Sequence, residues 1–247
     1  MNPQALPMMS APNLPHSPPH HSSAVAPAWH TAVVLLVVLG FSLAGAVSRN
    51  LRPLGGPHSR AAGYAVVIAF EWIIVAFIWY ALSRRGISMR ELIGGRWEKV
   101  SEILRDLGIG IAFLLVCGFA MVSGILHLLK AAPNQAIREM LPHSTTEIVL
   151  WIMMSATAGF CEEIIFRGYF QRQFSALTGF VRSGILLQGL VFGLAHGYQG
   201  WKFMLAIAIY GITFGLLAQW RRSLRPGMVA HFVQDSAGGL LARFLTH

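Results

Sequence analysis

The sequence predicts an all-α protein, a multi-pass bundle of about seven membrane-spanning helices with one further amphipathic helix at the bilayer surface. Three observations lead there. Of 247 residues, 55% are hydrophobic and only 12% are charged, about half the charged share of a soluble domain. The apolar residues gather into recurring runs, several of them close to the roughly 17 to 25 residues that a helix needs to cross a bilayer. Short cationic pairs, Arg84-Arg85 and Arg221-Arg222, sit between the runs, as they do at membrane faces.

In chain order, residues 1–28 are rich in proline, serine and histidine and hold no lysine or arginine. That composition predicts a disordered tail and lacks the positive start of a secretory signal. The histidines there (His16, His20, His21) follow the compositional bias rather than a metal-binding spacing. Apolar runs then occupy 29–47, 61–82, 107–129 and 147–166, followed by 183–195, 201–220 and 228–245. The runs at 183–195 and 228–245 are short, contain glycine, and are interrupted by His, Gln or Asp. They need shielding by neighbouring helices. Between 84 and 106, charges of both signs alternate with Leu92, Ile93, Trp97, Val100, Ile103 and Leu104, a spacing that predicts an interfacial amphipathic helix. The expected organisation is a tail over 1–28, transmembrane helices over 29–130 that include the interfacial segment 84–106, and a second transmembrane core over 144–245.

Local signals support these boundaries. Ser144-Thr145-Thr146-Glu147 offers a cap and a first-turn carboxylate, and Pro226 suits the first turn of the last helix. Cys117 and Cys161 lie inside apolar runs without a Cys-x-x-Cys spacing, so they read as small buried hydrophobes. The net charge of +9 is spread between apolar runs instead of covering one face, which excludes nucleic acid as a partner and favours the lipid bilayer.

Ionisable side chains at bilayer depth cost at least about 2.5 to 3.5 kcal/mol each on insertion scales, so each asks for an explanation. Four places hold them. In Cys161-Glu162-Glu163-Ile164-Ile165-Phe166-Arg167-Gly168, Glu163 and Arg167 stand four apart and can pair. Glu162 projects roughly 100° away from Glu163 on a helix, leaving one carboxylate neutralised and the other free. Phe192-Gly193-Leu194-Ala195-His196 ends the short fifth run. His231 and Asp235 share a face of the last, and Glu71 stands alone in the second. His127, near an interface, reads as a packing residue. Two carboxylates and two histidines from separate helices are the ingredients for activating water, with a desolvated Glu as base and a His to steer. The same set could ligate zinc, although no His-Glu-x-x-His motif is present.

These residues resemble a known family. Glu162-Glu163-x-x-Phe166-Arg167-Gly168, then Phe192-x-x-x-His196, then His231-x-x-x-Asp235, with Arg225-Pro226-Gly227 leading into the last, are similar to the CAAX protease and bacteriocin-processing (Abi) family. That family includes the Ras-converting CAAX endoprotease and is classed among glutamic-type intramembrane proteases. The resemblance implies an endopeptidase in which Glu162 activates water, His196 positions it, and Glu163 and Arg167 support the site. It also implies that His231 stabilises the oxyanion and that Phe192 belongs to the supporting motif. The last motif is commonly written with Asn where Asp235 stands. An ionised Asp cannot donate to an oxyanion as an Asn amide can. Asp235 could instead orient His231, stay protonated, or ligate a metal.

The activity implied is hydrolysis of a peptide bond in a membrane-associated peptide or protein, in an integral, multi-pass protein of a bacterial cytoplasmic membrane. Rivals are a non-catalytic membrane scaffold of the same fold, a metal-dependent protease using zinc on Glu162, His196 and His231, and an ion transporter relaying through Glu71 and Glu162. Transport is disfavoured because no internal repeat is present. Neither the oligomeric state nor the cleavage site is legible in the residues.

Overall fold

The structure, a computed structural model, describes residues 24–50 and 59–245, with side chains described to residue 48 and from 59 to 241. Among the described residues it is helical throughout, without strands. The helices are α1 (Ala28–Asn50), α2 (Arg60–Ser83), α3 (Met89–Ile93), α4 (Val100–Leu128), α5 (Gln135–Met140), α6 (Thr145–Thr178), α7 (Val181–Ala195), α8 (Trp201–Arg221) and α9 (Arg225–Leu245). α4 and α6 each contain a wider π-helical stretch, Leu114–Met121 and Glu163–Phe170.

Five helices are long and apolar enough to cross a bilayer: α1, α2, α4, α6 and α8. The expected count of about seven spans is not confirmed, since five helices among the described residues meet that measure. α7 has only 15 residues, and α9, although 21 residues long, carries His231, Gln234, Asp235 and Ser236 within it. Both pack against longer helices instead, α7 on α8 and α9 on α6 and α4. Several of their polar groups are met by protein: Gln234 Oε1 accepts from the Tyr210 hydroxyl at 2.6 Å, and Gln188 Nε2 donates to the Gly211 carbonyl at 2.8 Å.

The interfacial segment over 84–106 is also corrected. It is not one amphipathic helix but the five-residue α3, a turn, and the start of α4. The break falls at Gly94 and Gly95, whose φ values of 102° and 87° lie in the left-handed region that favours glycine. A Cβ on Gly94 would stand 2.6 Å from the Arg222 carbonyl oxygen and 2.7 Å from Ser223 Cα, because the α8–α9 turn docks there. Leu224 N–H donates to the Ile93 carbonyl at 2.9 Å. Asp106, fully buried at the start of α4, locks the junction. It accepts from Trp97 Nε1 at 2.8 Å and from Arg221 Nη2 at 3.4 Å, with Arg225 Nη1 at 3.7 Å.

α6 is the axis of the fold and the most buried of the five long helices. The expected capping box opens it. Ser144 Oγ accepts from Glu147 N–H at 3.2 Å, while Glu147 Oε2 accepts from Ser144 N–H at 3.2 Å. α2 and α9 pack along its flanks, and α7 lies against its C-terminal end. Cys161, Ile164, Phe170 and Leu82 form the dry centre of the main core, and Cys161 is buried as expected, with Cys117 half-buried. His16, His20 and His21 lie outside the described residues. The chain at 24–27, at the end of the expected tail, is held against α6. Ala26 N–H donates to Gln173 Oε1 at 3.1 Å, and Gln173 Nε2 donates back to the Ala26 carbonyl at 2.8 Å.

The approach of α9 to α6 depends on Gly159. A Cβ there would lie 2.9 Å from Phe232 N and 3.0 Å from the Met228 carbonyl oxygen, both backbone atoms that cannot step aside. Gly159→Leu is expected to destabilise the protein by about 1 to 3 kcal/mol or more through overpacking. Gly124→Ala, with open space around it, is expected to be neutral or slightly stabilising. Melting midpoints of the two variants in detergent check this; equal values would contradict the packing described.

Candidate active site

The polar residues singled out in the sequence converge where α6, α9, α7 and α2 meet. The π-helical stretch of α6 begins at Glu163, so Glu162 ends regular helix and Glu163 opens a wider turn. Such turns re-aim side chains and recur at functional sites. Glu163 and Arg167 are both cut off from solvent, 0% and 2% exposed. Arg167 Nη1 donates to Glu163 Oε1 at 3.0 Å, the expected pair, and Nη2 donates to the Gly211 carbonyl of α8 at 3.3 Å. The guanidinium lies over two rings, with Phe192 at 4.3 Å and Phe214 at 4.6 Å from their centroids. Phe192 thus packs against the buried pair. Gly227 lets α9 approach the pair, since a Cβ there would stand 2.8 Å from Glu163 Oε2.

His231, buried on α9, connects the two glutamates. Its Nδ1 lies 3.2 Å from Glu163 Oε1, while Nε2 faces Glu162 Oε2 at 3.5 Å and Asp235 Oδ2 at 3.6 Å. Glu163 Oε1 accepts from Arg167, and as a carboxylate oxygen facing an imidazole it accepts there too, so Nδ1 is the donor. Nε2 then faces two carboxylates, an arrangement that is attractive only with at least one further proton shared among those three groups. Asp235 therefore meets the opposite ring nitrogen from the one Glu163 fixes. Its backbone carbonyl accepts from Trp151 Nε1 at 2.9 Å, which pins this turn of α9 to α6.

Glu162 is less buried than Glu163, with 17% of its side chain exposed against 1%. It lines a cavity of about 1620 Å³ together with Glu71, Phe166, His196 and Tyr198. The division into one neutralised and one free carboxylate is present in the geometry. His196, at the end of α7, places Nδ1 2.8 Å from the Phe192 carbonyl. A carbonyl only accepts, so the proton sits on Nδ1, and in the neutral ring Nε2 is left as an acceptor.

Glu71 was expected to be alone, and it is not. It is buried on α2, shares the cavity wall with Glu162 and His196, and its Oε2 has no hydrogen-bond partner among the described residues. Sequence reasoning also passed over Phe214, Gly211 and Tyr198. The only signal for Glu71 was a carboxylate at mid-span, which names no partner. Tyr198 and Phe214 look like ordinary aromatics of a membrane protein. His127, the expected packing residue, lies on α4 away from this cluster. Among the described residues no three His, Cys, Asp or Glu side chains are grouped to hold one metal ion.

With this geometry in view, comparison with known families is decisive for the second half of the chain. Residues 144–237 match the family described as Rce1-like, type II CAAX prenyl endopeptidase. That segment belongs to the CAAX protease family. No curated protein and no solved structure matches the chain. The matched segment runs from the Ser144 cap of α6 past Asp235, so it holds Glu162, Glu163, Arg167, His196 and His231 and excludes Glu71. The long apolar helices and the match of residues 144–237 to a family of membrane proteases support an integral membrane protein.

A buried ion pair that loses one partner strands a charge in low dielectric, at a cost of about 3 to 5 kcal/mol. Arg167→Met is expected to lose that much, and Arg167→Met combined with Glu163→Gln to recover part of it. Unfolding in detergent of the two variants measures the coupling; additive effects would show that the pair does not act as a unit.

Proposed function

We propose that this protein is an intramembrane endopeptidase that hydrolyses a peptide bond of a membrane-associated protein with a water activated by Glu162. The observation that carries the reading is the pairing of a neutralised Glu163 with a free Glu162 facing a large cavity, bridged by one histidine. A structural ion pair needs one carboxylate; the second has no packing purpose at that depth.

A water between Glu162 and His196 donates one hydrogen bond to the Glu162 carboxylate and one to His196 Nε2. Its remaining lone pair then points at the substrate carbonyl. Glu162 takes the proton as the carbon–oxygen bond forms and the carbonyl π electrons move onto oxygen. The oxyanion is offset by the positive charge of His231 behind Glu162. Collapse re-forms the carbonyl, breaks the carbon–nitrogen bond, and Glu162 returns its proton to the leaving nitrogen. Asp235 faces His231 Nε2 and favours its charged form, so the position acts through the imidazolium rather than by donating to the oxyanion.

The family description of residues 144–237 suggests the substrate class, and a prenylated CAAX peptide is the first probe. The cavity wall supports this choice, since Val38, Phe41 and Phe70 are apolar while Glu162 and His196 are polar. The reading needs no metal. Stoichiometric zinc in protein purified without added metal, lost in His196→Ala, would replace it with the metal-dependent alternative. A scaffold of the same fold would keep its cellular phenotype in both Glu162→Gln and His196→Ala.

The expected outcome is that Glu162→Gln and His196→Ala lower cleavage of a quenched fluorescent prenylated CAAX peptide by at least about 10²-fold, with unchanged melting in detergent. Wild-type turnover by Glu162→Gln would sink the mechanism.

A further inference from the structure

The wall around the reacting water is rich in acceptors. On the cavity wall Glu162, as a carboxylate, can only accept, and His196 turns an acceptor to the cavity because its Nδ1 proton is committed to the Phe192 carbonyl. His231 has its nitrogens directed at carboxylates, Nδ1 at Glu163 and Nε2 at Glu162 and Asp235. Such a wall suits a water losing its proton, but it opposes the oxyanion that forms next. Hydrolysis here calls for a donor on the same wall that keeps its proton.

Tyr198 meets that need. It lies on the 3₁₀ turn Gly197–Gln199 between α7 and α8, two residues past His196, and lines the same cavity as Glu162 and His196. The two rings are 6.1 Å apart. Its hydroxyl oxygen accepts from Gln199 Nε2 at 3.1 Å, which leaves its own proton undirected to any acceptor among the described residues. The turn is held in place. Asn134 Nδ2 donates to the Gln199 carbonyl at 2.8 Å, and α1, α5 and α8 pack against it. Gly200, at φ 89°, releases the chain into α8. Burial pushes the phenol up to about 12, with Glu162, Asp235 and Glu71 acting in the same direction, so it stays protonated at neutral pH.

We propose that Tyr198 is a catalytic residue whose phenolic O–H donates a hydrogen bond to the tetrahedral oxyanion, oriented by the Gln199 amide. The inference rests on the hydrolase reading above. The phenol keeps its proton throughout, so no bond to it forms or breaks. Its donor role complements the charge of His231, which acts from behind the carboxylates.

The test is Tyr198→Phe in the full chain, purified in detergent and assayed on the prenylated CAAX peptide beside Glu162→Gln. The expected result is a fall in kcat of roughly 10²- to 10³-fold, with KM within about twofold and melting unchanged. A phosphinate isostere of the same peptide, tetrahedral at the scissile position, is expected to lose affinity by a similar factor. A kcat within twofold of wild type overturns the role of Tyr198, and if Glu162→Gln is inactive in the same assay the hydrolase reading stands. A joint change in KM, kcat and melting also overturns it and assigns Tyr198 to packing. Normal cleavage by Glu162→Gln, or none by the wild type, removes the hydrolase reading and the role of Tyr198 with it.

Discussion

At the centre of the longest helix, a glutamate and an arginine share one widened turn with no access to solvent. Everything polar around them takes its place from that pair. Arg167 reaches across to the Gly211 carbonyl and so fastens α8 to α6. Its guanidinium is sandwiched by Phe192 and Phe214, which brings α7 and α8 to the same point. Glu163, paired with Arg167, fixes the imidazole of His231 through Nδ1 and thereby ties α9 to α6. Burying two charges gains little net stability, because desolvation offsets much of their attraction. What the pair provides is a defined geometry for the groups beside it.

That geometry makes two neighbouring glutamates unequal. Glu163 is consumed by Arg167 and His231, while Glu162 faces a cavity with nothing but His231 behind it. The inequality depends on helix pitch as much as on charge, since the π-helical stretch starts at Glu163. The cavity also holds Glu71, a buried carboxyl from outside the segment that matches the family. Four carboxyls against one guanidinium and two imidazoles require shared protons. A site of this kind is built for proton transfer more than for rigid ion binding.

The core of the site was legible because each residue broke a strong expectation. Glu162, Glu163, Arg167, His196 and His231 are expensive at bilayer depth, and the spacing of Glu163 with Arg167 and of His231 with Asp235 put each pair on one face. The Ser144 cap and Pro226 were legible for similar reasons. Glu71 had equal cost but no neighbour in sequence, since its companions arrive from α6 and the end of α7. Tyr198 carried no signal, because a tyrosine near a membrane helix end is ordinary. The helix over 84–106 was misread because apolar periodicity ran through Gly94-Gly95, while the α8–α9 turn that demands those glycines lies about 130 residues further on. The span count is limited in a similar way. Apolar runs reveal helices, but whether α7 and α9 face lipid or protein depends on their packing.

The division of labour between the adjacent glutamates is tested most directly in the membrane where the protein works. Membranes from cells carrying wild type or Glu162→Gln, at equal protein level, can be compared by proteomics for peptides that span a cleavage site. The account requires at least one precursor that is cleaved in wild type and persists uncleaved with Glu162→Gln. An identical set of termini in the two membranes would contradict it.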